Sequence, residues 1–328
     1  MFHLVIHYNI YLNIKPEMTQ ATSNILLVRP ANFGFNPQTA ISNAFQNTVD
    51  MDAAEIKKQV LKEFDTFANR LKDKGVNVMV IQDTDTPIKP DAIFPNNWGS
   101  FHADGTVILY PMATPNRQVE KRPDIIECIK KHFDIKEIID FSRYEEEGFA
   151  LEGTGSIIFD HLHKIAYAGL SPRTNKDLFI KLCDSIHYKP ISFTATDKTG
   201  QEIYHTNVMM CVSEKFSVIC LESIHNQEER NTVIHSLEHT GHQIIDISLE
   251  QVNHFAGNML SLVTRKGEEI LVMSQSAYQV LTKKQRSALE NYCEPFPMHI
   301  QTIEKIGGGS ARCMISEIFL PQKHHCHV

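Results

Sequence analysis

Apolar residues fall along this chain in short runs: Ile25-Leu26-Leu27-Val28, Val107-Ile108-Leu109-Tyr110, Ile157-Ile158-Phe159, Val218-Ile219-Cys220 and Ile270-Leu271-Val272. Runs this short, β-rich and bounded by polar turns, predict strands. Between them, apolar positions at helical spacing predict helices over about 53–72, 117–133, from about Asn175, 226–239 and 282–292.

One grammar recurs. A small or amide-rich lead-in opens into a strand, a polar turn and second strand follow, and then come a helix and a further strand. The lead-ins are Asn96-Asn97-Trp98-Gly99, Glu152-Gly153-Thr154-Gly155, His205-Thr206-Asn207 and Ala256-Gly257-Asn258. A fifth, Gly307-Gly308-Gly309-Ser310, opens a strand over 314–320. From Asn97 to Gly155 is 58 residues, Gly155 to Asn207 is 52, Asn207 to Asn258 is 51, and Asn258 to Cys313 is 55. The fifth unit has no helix after it. The N-terminal segment supplies the missing parts, a strand at Ile25–Val28, a helix over 53–72 and a strand at Val76–Ile81. The chain ends therefore interlock and close a ring of five units, which leaves no exposed sheet edge. Each unit is too small to bury its own helix face, so the units share one core. The expected organisation is a single α/β domain over 21–323. Residues 1–20 read as a disordered or non-native extension, with Met18 as an alternative start, and 324–328 as a polar tail.

Composition fits this picture. Of 328 residues, 42% are hydrophobic and 22% charged, enough to bury a sizeable core. Net charge is −7 and no long basic run occurs, which argues against a nucleic-acid partner. No apolar run approaches the ~18 residues of a membrane span. Seven cysteines at Cys128, Cys183, Cys211, Cys220, Cys293, Cys313 and Cys326 form no disulfide framework or metal knuckle. They imply a reducing, cytoplasmic setting and mostly buried thiols. A monomer and a homodimer both remain open.

In a closed ring the lead-ins converge near the axis, bringing Asn97, Glu152, His205, Asn258 and Cys313 together. A thiol, an imidazole and a carboxylate from three units are the inventory for nucleophilic catalysis with a proton shuttle. Cys313 follows three glycines that let the backbone approach a substrate. Cys128, Cys183, Cys211, Cys220 and Cys293 read as core. No metal site is expected: His161 and His163 read as solvated turn residues, and the tail His324-His325-Cys326-His327 as an adventitious binder at most. Gly307-Gly308-Gly309 lacks the Lys-Ser/Thr of a phosphate loop. No cofactor is expected.

Phe94-Pro95-Asn96-Asn97-Trp98, Leu151-Glu152-Gly153, Gly169-Leu170-Ser171-Pro172-Arg173-Thr174, His205-Thr206-Asn207 and Gly307–Met314 occur in an order that resembles the guanidino-group-modifying superfamily. It includes arginine deiminases, dimethylarginine hydrolases and amidinotransferases. The chain looks closest to the citrulline-utilisation hydrolase (CtlX-like) branch, over about 24–322. The resemblance implies a five-bladed ββαβ propeller, the pentein fold. It implies Cys313 as nucleophile, His205 as general acid/base, and Glu152 as a carboxylate that binds substrate nitrogen and orients the site. Arg117 and Arg173 match arginines that hold a substrate α-carboxylate, and Asp91 matches an acidic position of the dimethylarginine hydrolases. Asn97 and Asn207 depart from the pattern, since deiminases carry aspartates there. An amide both donates and accepts, so the pair favours a neutral ureido substrate, citrulline, over a cation. The alternatives are a guanidino-substrate hydrolase, an amidinotransferase, and a non-catalytic binding protein on the same fold.

Overall fold

The computed structural model describes residues 18–323, and the expected polar tail at 324–328 and most of the expected extension at 1–20 lie outside it. Its fifteen strands form five three-stranded sheets of one design, an antiparallel pair joined by a parallel strand reached through a helix. β1 (Asn24–Arg29) pairs parallel with β2 (Asn77–Gln82) across helix α1 (Ala53–Lys74). β3 (Gly99–Phe101), β4 (Thr106–Leu109) and β5 (Glu137–Asp140) form the second sheet, with α2 (Pro123–His132) before β5. β6 (Ile158–Asp160), β7 (Ile165–Leu170) and β8 (Lys189–Thr194) repeat it with α3 (Lys176–Ile186). β9 (Met210–Val212), β10 (Phe216–Ile219) and β11 (Gln243–Asp246) follow with α4 (Gln227–His239). β12 (Leu260–Val263), β13 (Glu269–Ser274) and β14 (Glu294–Met298) are served by α5 (Lys283–Glu290). After α6 (Gln301–Gly307), β15 (Ser316–Glu317) completes the first sheet antiparallel to β1.

The sequence explains these elements locally. In α1 the Asp52 side chain caps Ala54 N, Lys72 and Lys74 sit at the negative end, and Gly75 at φ 99° ends the helix. Val60, Phe64, Phe67, Ala68 and Leu71 form its buried stripe. Apolar clusters join the first sheet to the second, the second to the third, the third through the fourth to the fifth, and the fifth back to the first. The interlock of chain ends is thus tied by backbone pairing and by shared apolar contact.

Several expectations need correction. The helix over 117–133 is broken into a turn at Pro115–Gln118 and α2, because Pro123 starts a new helix and cannot continue an old one. The helix expected over 282–292 is present as α5, with an additional short helix at Gln275–Val280 ahead of it. The last strand is only β15, with Ile318 bridging Phe101, and α6 had no sequence expectation. The lead-ins at Asn97, Glu152 and His205 are single helical turns, Pro95–Asn97, Gly153–Ser156 and Thr206–Met209, rather than strand starts. The boundary at residue 21 falls late: Gln20 is buried, and its Nε2 donates to Phe159 O at 2.9 Å and Val212 O at 3.2 Å. Among the described residues no helix is long and apolar enough to cross a membrane.

Candidate active site

Helical turns at three lead-ins and tight turns at the other two each carry one polar side chain toward a common site. Asp91, Asn97, Arg117, Arg173, His205 and Cys313 line one cavity beside Gly307, Gly308 and Gly309. All six are buried. Gly308 ends α6 at φ 63°, a conformation other residues rarely adopt. Gly307 and Gly309 serve a different purpose: a Cβ on either would lie 2.9 Å from the Phe94 ring.

The Cys313 thiol sits between two amides. Asn258 Nδ2 is 3.2 Å and Asn207 Nδ2 3.6 Å from Sγ. Asn258 Oδ1 accepts Arg312 N at 3.0 Å, so its nitrogen must be the end facing sulfur. Burial pushes the thiol up from its ordinary pKa, against the pull of the Ser310 backbone and these two amides. His205 Nε2 donates to Glu152 Oε2 at 2.8 Å. Burial pushes the imidazole down to about 4 despite that carboxylate. Burial alone would raise Glu152, but Arg173, His205 and Arg117 outweigh it and hold the carboxylate well below its ordinary range. The resting pair is therefore a thiol and a neutral imidazole, not the cationic His205 that would promote a thiolate.

Glu152 stands behind the site rather than in it. Its Oε1 accepts Ala113 N at 3.0 Å, its Oε2 holds His205, and it is absent from the cavity wall. This geometry suits orientation of the imidazole and offers substrate nitrogen no open oxygen. The arginines also differ from expectation. Arg117 gives Nε and Nη2 to both oxygens of Glu120 at 3.0 and 2.9 Å, Nη2 to Phe94 O at 3.2 Å, and Nη1 to Asn97 Oδ1 at 2.9 Å. Arg173 gives Nε to Ser42 Oγ at 2.9 Å and Nη2 to Thr39 O at 2.7 Å. Neither presents a free fork to a carboxylate.

Two buried polar atoms of the cavity wall have no protein partner, Asp91 Oδ1 and Asn97 Nδ2. The other carboxylate oxygen, Asp91 Oδ2, accepts Asn36 Nδ2 at 2.7 Å and Thr39 Oγ1 at 3.0 Å. Residues 36–47 thus fold over the site, with Asn43 Nδ2 donating to Gly308 O at 3.2 Å. The cavity beneath has about 10 Å³, roughly the room of one water. A larger open groove of about 760 Å³ lies on the far side of Tyr204, lined by Phe45, Phe255 and Glu304, and holds none of the thiol's partners.

The sequence had placed Asn258 at the convergence without giving it a task, and its repeat position was the available signal. Glu120 and residues 36–47 carry no repeat signal. His161 is packed against Phe159, Tyr188 and Phe319 rather than solvated, while His163 contacts Asp160. Asp160, His163 and His242 bring possible ligand atoms within 4.8 Å. Both nitrogens of His242 are already taken, by Thr240 Oγ1 at 2.7 Å and Ser213 O at 2.9 Å.

The family model described as eukaryotic N,N dimethylarginine dimethylhydrolase matches residues 29–320. No curated protein matches the chain. Among solved structures it is similar to apo ArgZ, an arginine dihydrolase from the ornithine-ammonia cycle in cyanobacteria, with TM-score 0.70 and 16% identity over 93% of this chain. It spans only 42% of that protein. The substrate-bound N-terminal domain of ArgZ matches with TM-score 0.70 and 16% identity over 91% of this chain and 98% of the domain. A mutant DDAH from Pseudomonas aeruginosa complexed with citrulline matches with TM-score 0.63 and 14% identity over 91% and 100%. At such identities the likeness is one of fold.

Proposed function

This chain belongs to the dimethylarginine dimethylhydrolase family, and from that membership we propose a cysteine hydrolase that cleaves the ureido group of citrulline. We read the five linked sheets as a closed five-bladed propeller, with Gln20 to Lys323 as its one catalytic unit and the site at its axis. Cys313 Sγ attacks the ureido carbon while His205 takes the thiol proton. Asn258 and Asn207 donors lie beside the reacting sulfur, where a tetrahedral oxyanion would develop. His205 returns the proton to the departing δ-nitrogen, releasing ornithine and leaving S-carbamoyl Cys313. Water activated by His205 then frees carbamate, which breaks down to ammonia and carbon dioxide.

The observation that carries the ureido reading is the unpartnered pair, Asp91 Oδ1 and Asn97 Nδ2. Arg117 donates to Asn97 Oδ1, and a guanidinium cannot accept, so Asn97 offers the cavity a donor. An acceptor beside a donor matches a ureido group, which has N–H and C=O. A guanidinium has donors only. Asn97→Asp removes that donor and adds charge. It is expected to lower kcat/KM for citrulline relative to arginine about tenfold or more, the effect of one hydrogen bond with a charged partner. An unchanged ratio in steady-state assays of both substrates contradicts this assignment.

A second reading is supported by the arginine dihydrolases among the similar structures. The same cysteine would first convert arginine to citrulline and then citrulline to ornithine. It predicts ornithine from either substrate, whereas the first reading predicts it from citrulline alone.

The neutral His205 also fixes the pH dependence. The base works unprotonated, so kcat/KM stays level on acidification through the ordinary histidine range. It falls about tenfold per pH unit only below the folded value near 4. A limb near 6.5 in a pH–rate profile would show that the imidazole is not shielded as drawn.

A further inference from the structure

Glu120 lies outside the cavity wall, yet it sets what the wall offers. It follows the helical turn Pro115–Gln118, and its main-chain N donates to Arg117 O at 3.0 Å. Val119 beside it is exposed, while Glu120 is 2% exposed and turned inward. Both of its oxygens engage the Nε/Nη2 edge of Arg117, the edge that otherwise forks a carboxylate. Phe94 O takes a further Nη2 proton. The direction left to Arg117 among these contacts is Nη1, and Nη1 meets Asn97 Oδ1 at 2.9 Å. An asparagine amide can turn end for end with little change in shape, and only its hydrogen bonds decide which end faces a ligand. Here the decision is made two residues away.

We infer that Glu120 is a specificity-positioning residue: by occupying the Arg117 fork, it fixes the Asn97 amide with its nitrogen free for a substrate carbonyl oxygen. The inference rests on the ureido reading above and extends it to a residue that never touches substrate. It also accounts for the Arg117 fork being engaged within the protein rather than open to a carboxylate. Without Glu120 the Arg117 fork is released, the Asn97 amide loses its fixed end, and the cavity stops distinguishing a carbonyl oxygen from an N–H.

The test compares kcat/KM for citrulline and arginine in wild type, Glu120→Gln, Asn97→Ala and the double variant. Glu120→Gln is expected to lower the citrulline-to-arginine ratio at least tenfold. In the Asn97→Ala background the same change should leave the ratio unaltered, because the relay has no end to act on. A merely structural Glu120 would reduce both substrates together and keep the ratio, and that result overturns the relay. So does a ratio change of equal size with and without Asn97. Glu120→Gln removes the nearest counter-charge of buried Arg117, leaving only Asp91 at 3.9 Å and Glu152 at 3.8 Å, which can prevent folding. In that case Arg117→Met with Glu120→Gln removes both charges, and the same fall in ratio is expected, a preserved ratio being the contradiction. Wild-type protein that forms no ornithine from citrulline refutes the ureido reading and the relay with it. Wild-type turnover with a preserved ratio in the variant refutes the relay alone.

Discussion

Replacing Cys313 by serine is expected to leave the fold intact and to reduce turnover by roughly 10⁴–10⁶-fold, the scale seen when a covalent nucleophile is removed. The substitution is nearly isosteric, and Asn258 and Asn207 can donate to an oxygen as they do to sulfur. Thermal melting should therefore change little. What is lost is reactivity. A serine hydroxyl is far less acidic than a thiol, and His205, held near 4 by burial, is a weak base for it. The pairing of near-normal stability with lost turnover separates a nucleophile from a core cysteine. Cys183, Cys211 and Cys220 are buried in apolar clusters, and burial raises their thiols. Conservative changes there should move stability and spare turnover. A Cys313→Ser enzyme with near-normal rate removes the covalent mechanism.

The second large effect comes from a methyl group. A Cβ on Gly155 would lie 2.3 Å from Asn97 Nδ2 and 2.8 Å from His205 Nδ1 and Cε1. Flexible side chains yield to such a contact cheaply, but these two are held. His205 is bonded to buried Glu152 and Asn97 to buried Arg117. Gly155→Ala therefore displaces the base and the specificity amide together without altering either. Misplacement of about 1 Å can cost 10²-fold, so kcat/KM should fall about 10²–10³-fold. Overpacking should cost about 1–3 kcal/mol of stability, read in a denaturant titration. Wild-type activity in Gly155→Ala would mean that the two side chains are not fixed as described.

The repeat explains what could be read in advance. Strand and helix periods survive in the sequence because each sheet has a buried face, so five units and the interlocking ends were legible from runs such as Ile25–Val28 and Ile270–Val272. The convergence of Asn97, Glu152, His205, Asn258 and Cys313 followed from their shared place in each unit. The lead-in backbone did not follow, since a single helical turn has too few residues to show a period. Contacts between units were also hidden. Nothing in the order of residues says that Glu120 occupies Arg117, or that Thr39 and Ser42 occupy Arg173. Arg117 and Glu120 are i,i+3 neighbours whose pairing a single turn hides, whereas Arg173 meets Thr39 and Ser42 only after distant segments assemble. Both pairings engage forks expected to hold a carboxylate.

The most direct test of the central claim is a product assay on citrulline and arginine side by side, following ornithine, citrulline and ammonia over time. The account predicts ornithine and ammonia from citrulline, with arginine consumed far more slowly. Ornithine from both would favour the two-step dihydrolase reading. Citrulline accumulating from arginine, with citrulline itself inert, would contradict the ureido assignment and the meaning given to Asn97.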